Sequence, residues 1–202
     1  MGPVRCGQLN LFLNNPTMSG LTYITSHPLK AEQLGRHLRI PVNHYKLDLP
    51  EIQSLDAGAV ASAKAQTAHG IVGGPVLVED FSLRFSALGG NLPGPLIKWF
   101  LADLKAAGLC KIAQMNAHPD AVAEVAFAFY DGQSLRTFWG RTNGTIADHP
   151  RGPDGFGTDS IFIPAGQSKT WAEMTEAEQD VTSIRRLALN DLAAFLATHP
   201  LF

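Results

Sequence analysis

Short β-branched and aromatic runs alternate with stretches of helical period in the first half of this chain. Leu21 to Thr25 reads as a strand, and Lys30 to Leu38 as a helix with Leu34 and Leu38 on one side. Val42 to Leu47 reads as a second strand, followed by a loop over Pro50 to Leu55. Asp56 to His69 is an alanine-rich helix that Gly70 should stop. Val76 to Glu79 is a third strand, ending at Asp80. Pro95 to Ala107 carries Ile97, Phe100, Leu101 and Leu104 on one stripe, with Gly108 closing the helix. The pattern then changes. Ala121 to Tyr130 and Gln133 to Gly140 alternate as strands around Asp131-Gly132, a hairpin signal, and Arg141 to Ile146 continues as strand or turn. A Pro/Gly loop from His149 to Gly157 leads to a short strand, Ile161 to Ile163. Thr170 to Met174 enters a helix, and Ser183 to Ala197 forms the last one, with Leu187, Leu189, Leu192 and Phe195 apolar. βα units first and an antiparallel pair later imply an α/β fold whose central sheet is mixed and flanked by helices.

Composition narrows the field. Of 202 residues, 45% are hydrophobic and 17% charged, which supports a folded core and argues against disorder. A net charge of -2 argues against bulk electrostatic binding to nucleic acid or membrane, and no apolar stretch approaches a membrane span. Cys6 and Cys110 form neither a disulfide framework nor a metal-ligand spacing, and reduced thiols in the cytoplasm are the default. Residues 1–20, with Asn14-Asn15-Pro16 and a short patch over Leu9 to Leu13, read as an irregular arm; an extra strand or a partner-binding arm is the competing reading. Met18 stands just ahead of the first convincing strand and is a candidate start. Residues 21–202 read as one α/β domain, with neither an internal repeat nor a clean linker.

Four places carry candidate chemistry. Asp80 stands at the expected tip of a buried strand, ahead of the glycine-rich turn Leu88 to Pro95. Strand tips are where α/β proteins place a metal ligand or a base. With Glu51 it offers two carboxylates to magnesium, which takes oxygen ligands and keeps water and phosphates around it. Glu79 should face the other side of the strand. Lys30 sits at a helix start, where backbone N–H groups and the dipole favour a phosphate; Ser26 is placed to cap that helix. In Gly152 to Asp159, glycines flank Phe156, an aromatic face on which a nucleobase can stack, and Asp159 can accept from the base or from a lysine. Ser183 is a plausible helix cap, and Arg185 a donor to a carbonyl or phosphate.

In order along the chain these pieces resemble the inosine-triphosphate pyrophosphatase family, whose enzymes remove aberrant purine nucleotides. Thr25-Ser26-His27-Pro28-Leu29-Lys30 is similar to T-G-N-x-x-K, and Leu49-Pro50-Glu51-Ile52-Gln53 to L-P-E-x-Q. Pro75 to Leu83 is similar to a strand ending in E-D-[ST]-x-L, and Ala87 to Phe100 to the eukaryotic branch, apart from an extra residue near Asn91. Gly155 to Asp159 resembles G-F-G-[YW]-D, and Thr170 to Met174 resembles T-[YFW]-A-E-M. The resemblance runs from about Leu21 to Phe195. It implies an elongated domain with a long active-site cleft, usually a homodimer. It implies hydrolysis of a nucleoside triphosphate to the monophosphate and pyrophosphate, dependent on magnesium, with manganese as a substitute. By motif, Asp80 is the base or a metal-bound carboxylate, and Glu51 helps hold the metal. Lys30 and Lys98, with Ser26, hold phosphates. Phe156 stacks on the base, and Asp159, Ser183 and Arg185 recognise it.

The departures are specific. The opening asparagine is His27, the aromatic of G-F-G-[YW]-D is Thr158, and the proline that usually follows is Ser160. The pattern E-K-N-x-[IV]-S-H-R appears as Glu178 to Arg185, so its lysine is Gln179 and its histidine Ile184. Retained carboxylates beside altered base-reading positions imply a changed or relaxed base preference. Two rival readings are a nucleotide-binding protein without catalysis, and a pyrophosphatase with another substrate, either Maf-like or biosynthetic.

Overall fold

The computed structural model describes residues 20–116, 119–153 and 157–199. Phe156 and all but Gly20 of the arm expected over residues 1–20 lie outside them. The elements in chain order are β1 (Leu21–Ile24), α1 (Pro28–Leu38), β2 (Val42–Tyr45), α2 (Ala57–Val72), β3 (Val76–Phe85), β4 (Pro93–Gly94), α3 (Ile97–Ala113), β5 (Asp120–Tyr130), β6 (Leu135–Ile146), β7 (Phe162–Pro164), α4 (Glu176–Thr182) and α5 (Ile184–Thr198). They build one open mixed sheet in the order β2-β1-β3-β5-β6-β7, with β4 added to β3. β1 runs parallel to β2 and β3; the remaining pairs are antiparallel.

Alternation on β5 decides what covers each face. Val125, Phe127 and Phe129 enter the larger core with Ile184, Ala188 and Leu192, the one-sided stripe of α5. Ala126 and Ala128 point the other way and meet Ala57, Ala61, Ala65 and Ala68 of α2. Small side chains on both partners let α2 lie close to the sheet. Asp131 Oδ1 accepts from the N–H groups of Gln133 and Ser134 at 2.8 and 2.7 Å, which closes the β5–β6 hairpin where Asp131-Gly132 placed it. Among the described residues no helix is long and apolar enough to cross a membrane.

Four boundary expectations change. β3 does not stop at Glu79. Phe81, Leu83 and Phe85 keep its period of two, so Asp80 lies mid-strand opposite Ala126. α2 runs through Gly70, whose Cβ position faces open space, and ends at Gly73 in the left-handed region with φ 74°. α3 runs through Gly108 to Ala113, across a kink at Lys105. Ser26 does not cap α1. His27 takes the N-cap position without a side-chain capping bond to the helix, and Pro28 fixes the first-turn φ.

Candidate active site

A gap in the sheet creates the site. On one edge of β3, β1 pairs with Val76 to Val78 and ends at Ile24, while β4 pairs only with Leu83 and Arg84. The edge from Glu79 to Ser82 is left open between them. Strand alternation sends Glu79 and Asp80 to opposite faces, as expected, yet both reach the cavity at this opening. The cavity has a volume of about 460 Å³. It gathers residues far apart in sequence: Lys30 from α1, Glu51 from the β2–α2 loop, Lys98 from α3, Asp159 from the turn before β7, and Arg185 from α5. An adjoining cavity shares Lys30, Glu51, Lys64, Glu79 and Lys98 and adds Ser26. Ser183 stands apart. Its hydroxyl accepts from the Arg186 N–H at 3.2 Å and caps α5, and it lines a third cavity behind Lys30 and Arg185.

One central residue was absent from the sequence reading. Lys64 on α2 donates to Asp80 Oδ1 at 3.1 Å, to Glu51 Oε1 at 3.2 Å and to the Glu79 carbonyl at 3.4 Å. A signal existed. Lys64 falls on the alanine stripe that faces the sheet, and a lone charge on a buried stripe needs a partner.

Burial pushes the Asp80 carboxyl up to about 6; Lys64 pulls the other way, and Glu51 and Glu79 add to the rise. Asp80 Oδ2 is buried without a hydrogen-bond partner among the described residues. For Lys64, burial favours the neutral form, but Asp80 and Glu51 outweigh it and raise its pKa. Glu79 behaves differently from Asp80. Burial raises it, yet Arg185 and Lys30 hold it at about 2. Lys30 Nζ donates to Glu79 Oε1, and Arg185 Nε donates to Oε2 at 2.9 Å. Glu79 in turn raises Arg185, so that pair stays ionised over the working range. One carboxylate is therefore locked as an anion that holds two cations. Its neighbour is poised near neutrality with one oxygen that has no hydrogen-bond partner among the described residues.

Two of the departures in the last motif, Ile184 and Gln179, do not line the main cavity. Ile184 is buried in the larger core. Gln179 Nε2 donates to the Trp171 carbonyl at 2.7 Å and to the Met174 carbonyl at 3.5 Å.

The Ham1 family's sequence profile matches residues 21–195. Inosine triphosphate pyrophosphatase 2 of Trypanosoma cruzi is 40% identical over 86% of this chain and 90% of its own length. Inosine triphosphate pyrophosphatase of Tuber melanosporum is 40% identical over 89% of this chain and 98% of its own. In fold, the chain is similar to the Ham1 protein of Staphylococcus aureus. The TM-score is 0.71 with 22% identity, covering 89% of this chain and 100% of that one.

Proposed function

The chain belongs to the Ham1 family, and from that premise we propose that it is a nucleoside-triphosphate pyrophosphatase acting on aberrant purine nucleotides, with a base preference altered from that of its relatives. Names carried by relatives support the reaction class. The observation that carries the reading is Asp80: a raised carboxyl with one oxygen unpartnered among the described residues, at a cavity lined by Lys30, Lys64 and Lys98.

The residues divide the work by chemistry. Lys30 and Lys98 supply positive charge for a triphosphate, and Lys64 balances the two carboxylates until the substrate arrives. Asp80 has the raised basicity, and in Oδ2 an oxygen without a hydrogen-bond partner among the described residues, to take a proton from a water as that water's oxygen bonds to the α-phosphorus. The bond from that phosphorus to the bridging oxygen breaks, and pyrophosphate leaves. Asp159 and Arg185 line the same cavity and would recognise the base, on which Phe156 is expected to stack.

Among the described residues no cluster of three or more His, Cys, Asp or Glu forms a ready metal cage. Two carboxylates and an unpartnered carboxylate oxygen nevertheless fit magnesium, which binds through one or two carboxylates and completes its shell with water and phosphates. Glu51 and Asp80 would hold it, with manganese as a substitute. Bound there, it would supply Lewis acidity to the phosphoryl oxygens. A homodimer, as the family resemblance implies, completes the proposal, with the cytoplasm as its place and neither nucleic acid nor membrane as a partner, as the cysteines, charge and hydropathy suggest.

Triphosphates of inosine, xanthosine and the common four nucleosides, assayed with magnesium, test the reading. Pyrophosphate and monophosphate in equal amounts support it. Orthophosphate and diphosphate, or no turnover of any triphosphate, end it.

A further inference from the structure

Trp171 lies in a 3-10 turn, Trp171–Glu173, between β7 and α4, and is among the residues lining the main cavity, with Thr158, Asp159 and Arg185. It is held from three directions. Its indole Nε1–H donates to Thr182 Oγ1 at 3.0 Å. Its carbonyl accepts from Gln179 Nε2 at 2.7 Å. Its ring leans on Phe162, with centroids 4.5 Å apart and planes tilted by 39°. The next N–H, of Ala172, donates to the Asp159 carbonyl at 2.9 Å, so the indole and Asp159 belong to one tethered unit.

The two polar anchors, Thr182 and Gln179, both come from α4. Both stand where the sequence departs from the pattern E-K-N-x-[IV]-S-H-R, as Thr182 for the aliphatic residue and Gln179 for the lysine. A third departure, Thr158, removes an aromatic from the turn beside Asp159 and is itself buried. Three changes thus converge on one ring: one takes an aromatic away nearby, and two pin Trp171 in place. An indole fixed at edge, face and backbone cannot swing aside, and it presents a rigid apolar surface. A rigid apolar wall discriminates by shape and contact area.

We propose that Trp171 is a specificity-determining residue whose indole forms the wall of the nucleobase end and sets the ring size accepted there, with Thr182 and Gln179 as positioning residues that hold it. A purine fills the space against the wall, and a single-ring base leaves it part empty. This rests on the pyrophosphatase reading for its substrate, and the experiment below separates the two.

The first measurement needs no turnover. Trp99 and Trp139 are replaced by phenylalanine, leaving Trp171 as the remaining one of three tryptophans, and its fluorescence is followed as inosine triphosphate is added without divalent ion. Saturable quenching is expected. The second is steady-state kinetics on inosine and uridine triphosphates. Trp171→Ala should raise KM for the purine about tenfold while kcat stays within about threefold, so the purine-to-pyrimidine ratio of kcat/KM drops about tenfold. Thr182→Val should move that ratio about two- to fivefold in the same direction, and Thr182→Ser should restore it. If Trp171→Ala does not fold, Trp171→Phe, Thr182→Val and the fluorescence titration decide. Absent quenching in a protein that turns over triphosphates, or an unchanged ratio in folded Trp171 and Thr182 variants, overturns the wall and leaves the pyrophosphatase reading intact. Quenching without release of pyrophosphate from any triphosphate upholds the wall and ends that reading.

Discussion

Lys64 on α2 donates to Asp80 on β3 across 3.1 Å, and this contact opposes the burial that keeps the Asp80 carboxyl near neutrality. Removing the ammonium while keeping the stem shows what it does. In Lys64→Met the Asp80 pKa should climb above its present value of about 6, because the largest opposing influence is gone. The acid limb of the pH–rate profile should move to higher pH, and kcat should drop about 10²-fold at neutrality. A profile that keeps its acid limb in place would separate Lys64 from the ionisation of Asp80.

Stability should carry the same signature in reverse. A carboxyl raised from 3.8 to about 6 means the folded protein holds that proton more tightly than the unfolded chain. Its stabilisation is complete below about pH 4 and is lost as pH rises from about 4 to 6, at a cost near 3 kcal/mol. Asp80→Asn mimics the neutral form. Without divalent ions it should therefore melt several degrees above the parent at pH 8 and level with it at pH 4. Thermal melts at the two pH values, in chelator, check this.

Glu79 has the opposite sign. Arg185 and Lys30 hold it at about 2, below an ordinary 4.5, so its contribution is present above about pH 4.5 and is lost as pH falls toward 2. Glu79→Gln leaves both cations with a neutral partner. Lys30 and Arg185 are partly solvated, which moderates the penalty to about 2 kcal/mol at pH 7. The difference from the parent should shrink in acid melts. The affinity for triphosphate should also fall, because both cations lose their common anchor.

Gly140 tests the seat of α5. A Cβ at this position on β6 would collide with the Ile184 carbonyl and neighbouring backbone at the first turn of α5. Backbone cannot rotate away as a side chain can. Gly140→Ala should cost about 3 kcal/mol and displace Arg185, one residue on, from Glu79. Chemical denaturation together with substrate KM follows both effects.

Much of this was legible in the residues. The two strand-like runs around the Asp131-Gly132 turn and the order of βα units pointed to the mixed sheet. The motif order placed Lys30, Glu51, Asp80, Lys98, Asp159 and Arg185, all of which line one cavity. The misreadings share a cause: local signals were given more weight than long-range pairing. Glu79-Asp80 looked like the end of a strand because paired charges rarely sit mid-strand. The cavity comes instead from two neighbouring strands that stop short of β3 on one edge, a relation no local window contains. Gly70 looked like a helix stop, yet it is tolerated on the side of α2 facing solvent, and the left-handed residue is Gly73. Lys64 was hidden in an alanine run, and its role depends on Asp80 and Glu51 arriving from separate segments. Ile184 stands where the resembled pattern has a histidine, and it lies in the core.

The most direct measurement is the turnover of Asp80→Asn with inosine triphosphate and magnesium, beside a thermal melt of the same sample. The account predicts a loss of about 10³-fold or more in kcat in a protein at least as stable as the parent at pH 8. An intact Asp80→Asn protein that still releases pyrophosphate within about threefold of the parent rate would contradict it.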